Sequence, residues 1–234
     1  TKFVEIDGLT FHELPPSLSN ALKIRPYLRV VTLLRQSDPD LKHEVFLRLN
    51  KAGVALNSQE IRNVAFRGNF NDLLFELSET PYFVQQLRST KDSKNYKEMI
   101  DVQFVLRFFT IKDYWDDFSG NMDEAMDKYM STHLRLTNNQ IQEKREVFLR
   151  ALNSCENVWG TDGFTKPDGS KRVLQGYFDV QMVCSSLLTD AEYNNAINKS
   201  ESVRVGLMDL LQNDVNFLES ISQFTSNQKN VRYR

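Results

Sequence analysis

The chain has 234 residues, of which 41% are hydrophobic and 26% charged, and its 31 acidic and 29 basic side chains leave a formal charge of -2. That length buries a sizeable core as one large domain or two small ones. The near-neutral balance excludes the global signature of a nucleic-acid binder, although it leaves room for a local basic patch.

No apolar run reaches the ~20 residues of a membrane span. The opening TKFVEIDG has neither the basic nor the apolar region of a signal peptide, so a cytoplasmic location is expected. In a reducing cytoplasm, Cys155 and Cys184, which lack metal-ligand spacing, read as unpaired thiols rather than a disulfide. The start on Thr1 and the polar, basic end NQKNVRYR suggest a piece of a longer protein.

In chain order, LPPSLSNALKIR reads as a short helix started by Pro15 or Pro16. The β-branched and aliphatic run Pro26 to Leu34 reads as a strand, bounded by Pro26 and the turn-like QSDPD. One strand needs a partner for its backbone groups. TKFVEIDG and LTFHEL could supply one, but a sheet continued outside this chain is the favoured expectation.

After the strand, nearly everything has helical period. Leu41, Val45 and Leu49 recur at i, i+4 and i+8. Further helices are expected near Asn57 to Phe66, near Asn69 to Ser78 and around TPYFVQQLRS. EMIDVQFVLRFFTIKDYW is apolar almost all round, as in a helix buried in a bundle. An amphipathic helix follows from Met122 to Leu134, and the capping-box start TNNQ opens a long one reaching Trp159. GTDGFTKPDGSK, with three Gly, is a loop or small hairpin. VLQGYFDVQMVCSSLL, a helix capped by TDAE and a last one from Val203 to Phe224 close the chain. The expected fold is mainly α. It divides into residues 1–80, a strand-containing α/β remnant with a polar helix pair, and residues 81–234, a helical domain.

Candidate chemistry is sparse. His12, His43 and His133 sit in separate segments without metal-ligand spacing. Asp116 and Asp117 end a helix with no second acidic pair opposite them. Arg107, inside the apolar helix, must be paired if buried; a structural ion pair is expected ahead of an anion-binding role.

The densest polarity lies in FLRLNKAGVALNSQEIRN, Phe46 to Asn63. Helix-stop and helix-start physics accounts for part of it. Gly53 suits a left-handed stop, Asn57 and Glu60 form a capping box, and Leu56 and Ile61 form a hydrophobic staple. Asn50, Gln59, Arg62 and Asn63 are not absorbed by that account. Amides and an arginine at a helix N-terminus suit an anion.

The spacing of Phe46, Arg48, Asn50, Gly53, Leu56, Gln59, Glu60, Arg62 and Asn63 resembles a motif of the domain of unknown function 262 family, which includes the N-terminal part of GmrSD-type restriction enzymes. Similarity extends to the segments on either side, to IDVQFVLRFF and to WGTDGFTKPDGSKRVLQGYFDV. Lys51 and Ala52 depart from the usual Thr-Gly. The resemblance implies a ParB/sulfiredoxin-like core followed by a helical domain. It also implies hydrolysis of a nucleoside triphosphate with Mg, coupled to sensing or cutting modified phage DNA, with an HNH nuclease domain attached or supplied by a partner. The family's D-G-Q-Q-R loop is absent; IDG at Ile6 to Gly8 lacks the following Gln-Gln-Arg. The chain would therefore be the C-terminal portion, leaning on an upstream core segment, and is expected to hydrolyse nothing alone. In the intact protein Arg62 would contact phosphate, with Asn50, Gln59 and Asn63 lining the nucleotide or DNA side of the cleft. The rival readings are a non-enzymatic helical scaffold or interaction module and a DNA-contacting domain.

Overall fold

The computed structural model describes residues 6–24, 41, 44–45, 48, 56–166 and 172–234. The strand expected over Pro26 to Leu34, together with Phe46, Asn50, Gly53 and the Lys51–Ala52 departure, lies outside the described residues. By compactness the chain separates into Thr1–Ser37 and Asp38–Arg234. In the first unit, α1 (Pro16–Ile24) buries no residue, and Lys23 lies 5.8 Å from the ring centre of Phe11.

The second unit is a helical bundle. Its described helices are α2 (Ser58–Ala65), α3 (Asn69–Ser78), α4 (Pro81–Leu87), α5 (Lys94–Lys97), α6 (Ile100–Tyr114), α7 (Met122–Thr132) and α8 (Asn138–Trp159), followed by α9 (Gln175–Leu187), α10 (Asp190–Asn198), α11 (Ser200–Asn213), α12 (Val215–Ser222) and α13 (Gln228–Tyr233). Among the described residues the only β-pairing is an isolated antiparallel bridge, Thr165 to Val173. It brackets the loop expected between α8 and α9.

The bundle is organised around α6. Ten of its residues are buried, from Asp101 through Ile111, as an all-round apolar sequence requires. Helices α3, α7 and α9 pack against it, and α8 packs against both α3 and α9. Aromatic rings fill the centre. Phe108 meets Phe148 edge-on at 5.3 Å and Phe83 meets Phe148 at 5.6 Å, the arrangement that the ring quadrupole favours. Ala65, Phe66, Phe70, Leu73, Leu74 and Leu77 belong to this same core. The polar helix and its successor therefore contribute to the core of the helical unit. The apolar stripe of α3 has its partners on α6 and α8, and that burial holds it there.

Two segments differ from the sequence expectation. The last long helix is broken at Asp214, whose extended backbone separates α11 from α12 and whose carboxylate accepts the Phe217 N–H as an N-cap. The polar tail forms α13, capped by Asn227, and its Val231 joins the core.

Helix α9 approaches α12 closely at Gly176. A Cβ there would stand 2.2 Å from the carbonyl oxygen of Ile221 and 2.5 Å from its Cα. Backbone cannot yield as a flexible side chain does, so Gly176→Ala forces α9 and α12 apart. A loss of about 2–3 kcal/mol is expected, read from the denaturant midpoint.

At the junction of α6, α7 and α8, Lys144 donates to the Tyr129 hydroxyl at 2.6 Å, and that hydroxyl donates to Asp113 at 2.5 Å. The ring of His133 stacks on Tyr129 at 3.9 Å. Burial, supplemented by the Lys144 ammonium, holds the His133 imidazole below its ordinary 6.5. A lowered folded value means that the unfolded chain takes up the proton first. This contribution is therefore complete above pH 6.5 and is lost as pH falls through the folded value. Asp113 is also held low and adds its own loss only at pH below about 3.8. His133→Gln should flatten the mildly acidic part of a stability-against-pH curve and leave the more acidic part unchanged.

Candidate functional site: a cation-lined cleft

The motif helix α2 begins as its sequence requires. The Asn57 side chain accepts the N–H groups of Gln59 and Glu60 at 2.9 and 3.0 Å, and Glu60 accepts the Asn57 N–H at 2.7 Å. This capping box already satisfies the N–H groups that would greet an anion and sets a carboxylate at the positive end of the helix. The Asn57 amide also donates to the Glu98 carbonyl at 2.9 Å, tying the cap to the turn before α6.

The four residues singled out for ligand contact fare differently. Asn50 lies outside the described residues. Gln59 is 1% exposed, and neither its amide nitrogen nor its oxygen has a hydrogen-bond partner. Asn63 is half-buried and accepts from Asn71 at 2.8 Å. Arg62 is 1% exposed. Its Nε donates to Asp127 at 2.6 Å, and its Nη2 to the Asp123 carboxylate at 2.6 Å and carbonyl at 3.2 Å. In this arrangement its guanidinium fastens α2 to α7. Helical spacing explains the placement: Gln59 and Arg62 are buried along with Ile61 and Ala65.

Arg107 meets its expected partner. Its Nε lies 2.8 Å from one oxygen of Asp179 and its Nη2 2.6 Å from the other. Nη1 donates to the Ser226 hydroxyl at 3.1 Å and Nη2 to the Thr225 carbonyl at 2.9 Å. Arg234 reaches the same carboxylate at 2.5 Å and the same carbonyl at 2.7 Å. Two buried guanidinium groups thus share one buried carboxylate. Burial, opposed by Asp179 and reinforced by neighbouring Arg107, draws Arg234 below the usual arginine range. Asp179, α6 and the residues after α12 are locked together there.

Beside this cluster opens a cleft of about 690 Å³, lined from α4, α5, α6, α9 and α12 and by the stretch Arg172–Leu174. Its polar lining includes the exposed Arg88 and Arg172, the amides of Gln86, Asn95 and Gln175, and the hydroxyls of Ser222 and Thr225; no carboxylate is among the described lining residues. Local structure positions these groups. Arg88 ends α4 in the left-handed region at φ 52°, with its N–H bonded back to Gln85 and Val84. Asn95 donates to the Leu87 carbonyl at 2.6 Å, holding α5 under that turn. Leu174 donates to the Phe164 carbonyl at 2.9 Å, which together with the Thr165–Val173 bridge sets the strip that carries Arg172. The Ser222 hydroxyl is buried without a partner.

A smaller cavity of about 150 Å³ shares Phe104 and Gln175 with the cleft and adds Gln103, Arg107, Met122, Asp123, Met126 and Ser226. Sequence reasoning missed both cavities. Their polar groups come from segments scattered between Gln86 and Ser226, and no local spacing connects them. Elsewhere, Cys155 and Cys184 are unpaired, and burial pushes the Cys155 thiol up to about 12. Among the described residues no three His, Cys, Asp or Glu side chains converge in a metal-ready group.

Removing the Arg62 guanidinium strands two carboxylates and opens a void under α2. Asp123 is 61% exposed, so water recovers part of its loss. Arg62→Ala should therefore lower stability by about 2–3 kcal/mol in chemical denaturation. An arginine that served only a ligand would leave stability unchanged.

Comparison of the chain with protein-family models, with curated proteins and with solved structures finds no match.

Proposed function

We propose that this chain is the helical portion of a nucleotide-dependent restriction or defence protein, and that it supplies a surface for phosphate-bearing ligands while hydrolysis resides in an upstream core. The observation that carries this reading is the cleft with two arginines, three amides, two hydroxyls and no carboxylate among its described lining residues. Its volume falls within the ~300–1,000 Å³ of small-molecule sites. Arginine forks and amide donors suit phosphate oxygens. The resemblance of Phe46 to Asn63 to the restriction-enzyme family supplies the biological class. A nucleoside triphosphate with Mg, an HNH nuclease partner and modified DNA remain parts of that proposal.

The location of phosphate contact is moved by this reading. Arg62 is engaged by Asp123 and Asp127, so Arg88 and Arg172 are the residues assigned to phosphate, and Arg62 holds α2 in place. The alternative, a helical interaction module, draws on α10 and α11, neither of which has a buried residue. Val205 and Leu210 on α11 are exposed.

Titration of nucleoside triphosphates and short DNA into the whole chain at low salt decides between them. Binding should weaken as salt rises, because phosphate contact releases counterions. The double variant Arg88→Ala, Arg172→Ala should bind about tenfold more weakly, equivalent to ~1.4 kcal/mol, with an unchanged unfolding midpoint. Absence of binding by the wild type would sink the phosphate reading and favour the interaction module.

A further inference from the structure

We propose that the small cavity beside the cleft is a nucleobase pocket that selects guanine, with Asp123 as the specificity-determining residue and Arg62 as the residue that positions it. This rests on the reading of the cleft as a phosphate site and adds the identity of the group attached to the phosphate.

The two cavities share Phe104 and Gln175, and Thr225 and Ser226 are neighbours in the chain with one in each lining. The two cavities are therefore adjacent, and in the proposed pose the ligand's charged end lies among Arg88 and Arg172 and its uncharged end in the smaller space. That smaller space, about 150 Å³, is on the scale of a single heteroaromatic ring system and too confined for a whole nucleoside. Its walls have two characters. Phe104, Met122 and Met126 offer an aromatic and polarizable surface to a flat ring. Gln103, Gln175 and Asp123 offer hydrogen-bonding edges.

The carboxylate decides the base. A carboxylate accepts and cannot donate, and one Asp123 oxygen is already occupied by Arg62 at 2.6 Å. That bond fixes the side chain and takes one of the carboxylate's roughly four acceptor sites, so both oxygens keep the capacity to accept. Guanine alone among the common bases presents two adjacent N–H donors, N1–H and the exocyclic amine, to such an acceptor. Adenine and cytosine present one amine next to an acceptor, which a carboxylate repels. The Arg107–Arg234–Asp179 group carries one excess positive charge and the Arg62–Asp123–Asp127 group one excess negative charge, so the two balance and the attraction for phosphate comes from Arg88 and Arg172 in the cleft. A free nucleotide and one unpaired nucleotide of a strand share this chemistry.

The test is a calorimetric titration of the whole chain with the four nucleoside 5′-monophosphates, with ribose 5-phosphate, and with short single strands carrying either one guanine or an abasic position. Guanosine monophosphate should bind about tenfold tighter than ribose 5-phosphate and the other nucleotides. Asp123→Asn, which keeps the shape of the side chain, should abolish that preference without changing affinity for ribose 5-phosphate. Gln103→Ala, which touches no ion pair, should weaken guanosine monophosphate selectively. Discrimination by the strands without discrimination among free nucleotides would also support the pocket and assign it to a polymer. Equal binding of guanosine monophosphate and ribose 5-phosphate, with no discrimination by the strands, would overturn the base pocket while leaving the phosphate site standing. Failure of every phosphate ligand to bind would overturn both.

Discussion

The pairing of Arg107 with Asp179 is the constraint on which much of the helical unit depends. A guanidinium in the interior of α6 cannot be left without a counter-charge, and its partner lies on α9, 72 positions further along the chain. Satisfying that one group fixes the rotation of α6 against α9. The same carboxylate takes Arg234, and the same carbonyl of Thr225 serves both guanidinium groups. Helix α13 and the turn before it are thereby drawn to the centre. Both cavities take walls from this assembly: Thr225 faces one, and Ser226 and Arg107 face the other. The apolar core supplies most of the driving force for folding. The buried ion cluster adds a unique register, because apolar surfaces tolerate sliding that paired charges do not.

What was legible in the sequence was local. The capping boxes Asn57–Glu60, Thr137–Gln140 and Thr189–Glu192 each depend on residues three apart, and each forms. The burial of α6 followed from a run apolar on every side. Arg107 could be recognised as a buried charge in need of a partner, whereas the identity of Asp179 could not, since nothing local connects the two. Arg62 is the instructive case. Its polarity suggests a surface, but its position in the helix turns it inward, and the carboxylates that receive it are more than 60 positions away. The cleft was illegible for a related reason. Arg88, Asn95, Arg172 and Gln175 are unremarkable one at a time and acquire meaning only when five helices and a bridged strip bring them to one opening.

The motif helix and the smaller cavity are physically connected. Arg62 binds Asp123 on α7, and Asp123 lines the smaller cavity. Helix α2 is thus one side chain removed from a cavity wall. Its polarity serves two tasks: Asn57 and Glu60 cap the helix, and Arg62 ties it to α7. Its Arg62 acts on that cavity wall through geometry, by holding Asp123.

Arg88 holds a costly backbone conformation. It closes α4 with a left-handed backbone, a conformation that costs an ordinary side chain roughly 1–2 kcal/mol and glycine almost nothing. The side chain is exposed, so core packing does not offset that cost. The turn thus carries a conformational cost at a residue whose guanidinium lines the cleft. A stability-directed redesign would choose glycine here first, and in doing so would trade a guanidinium of the cleft lining for a more robust fold.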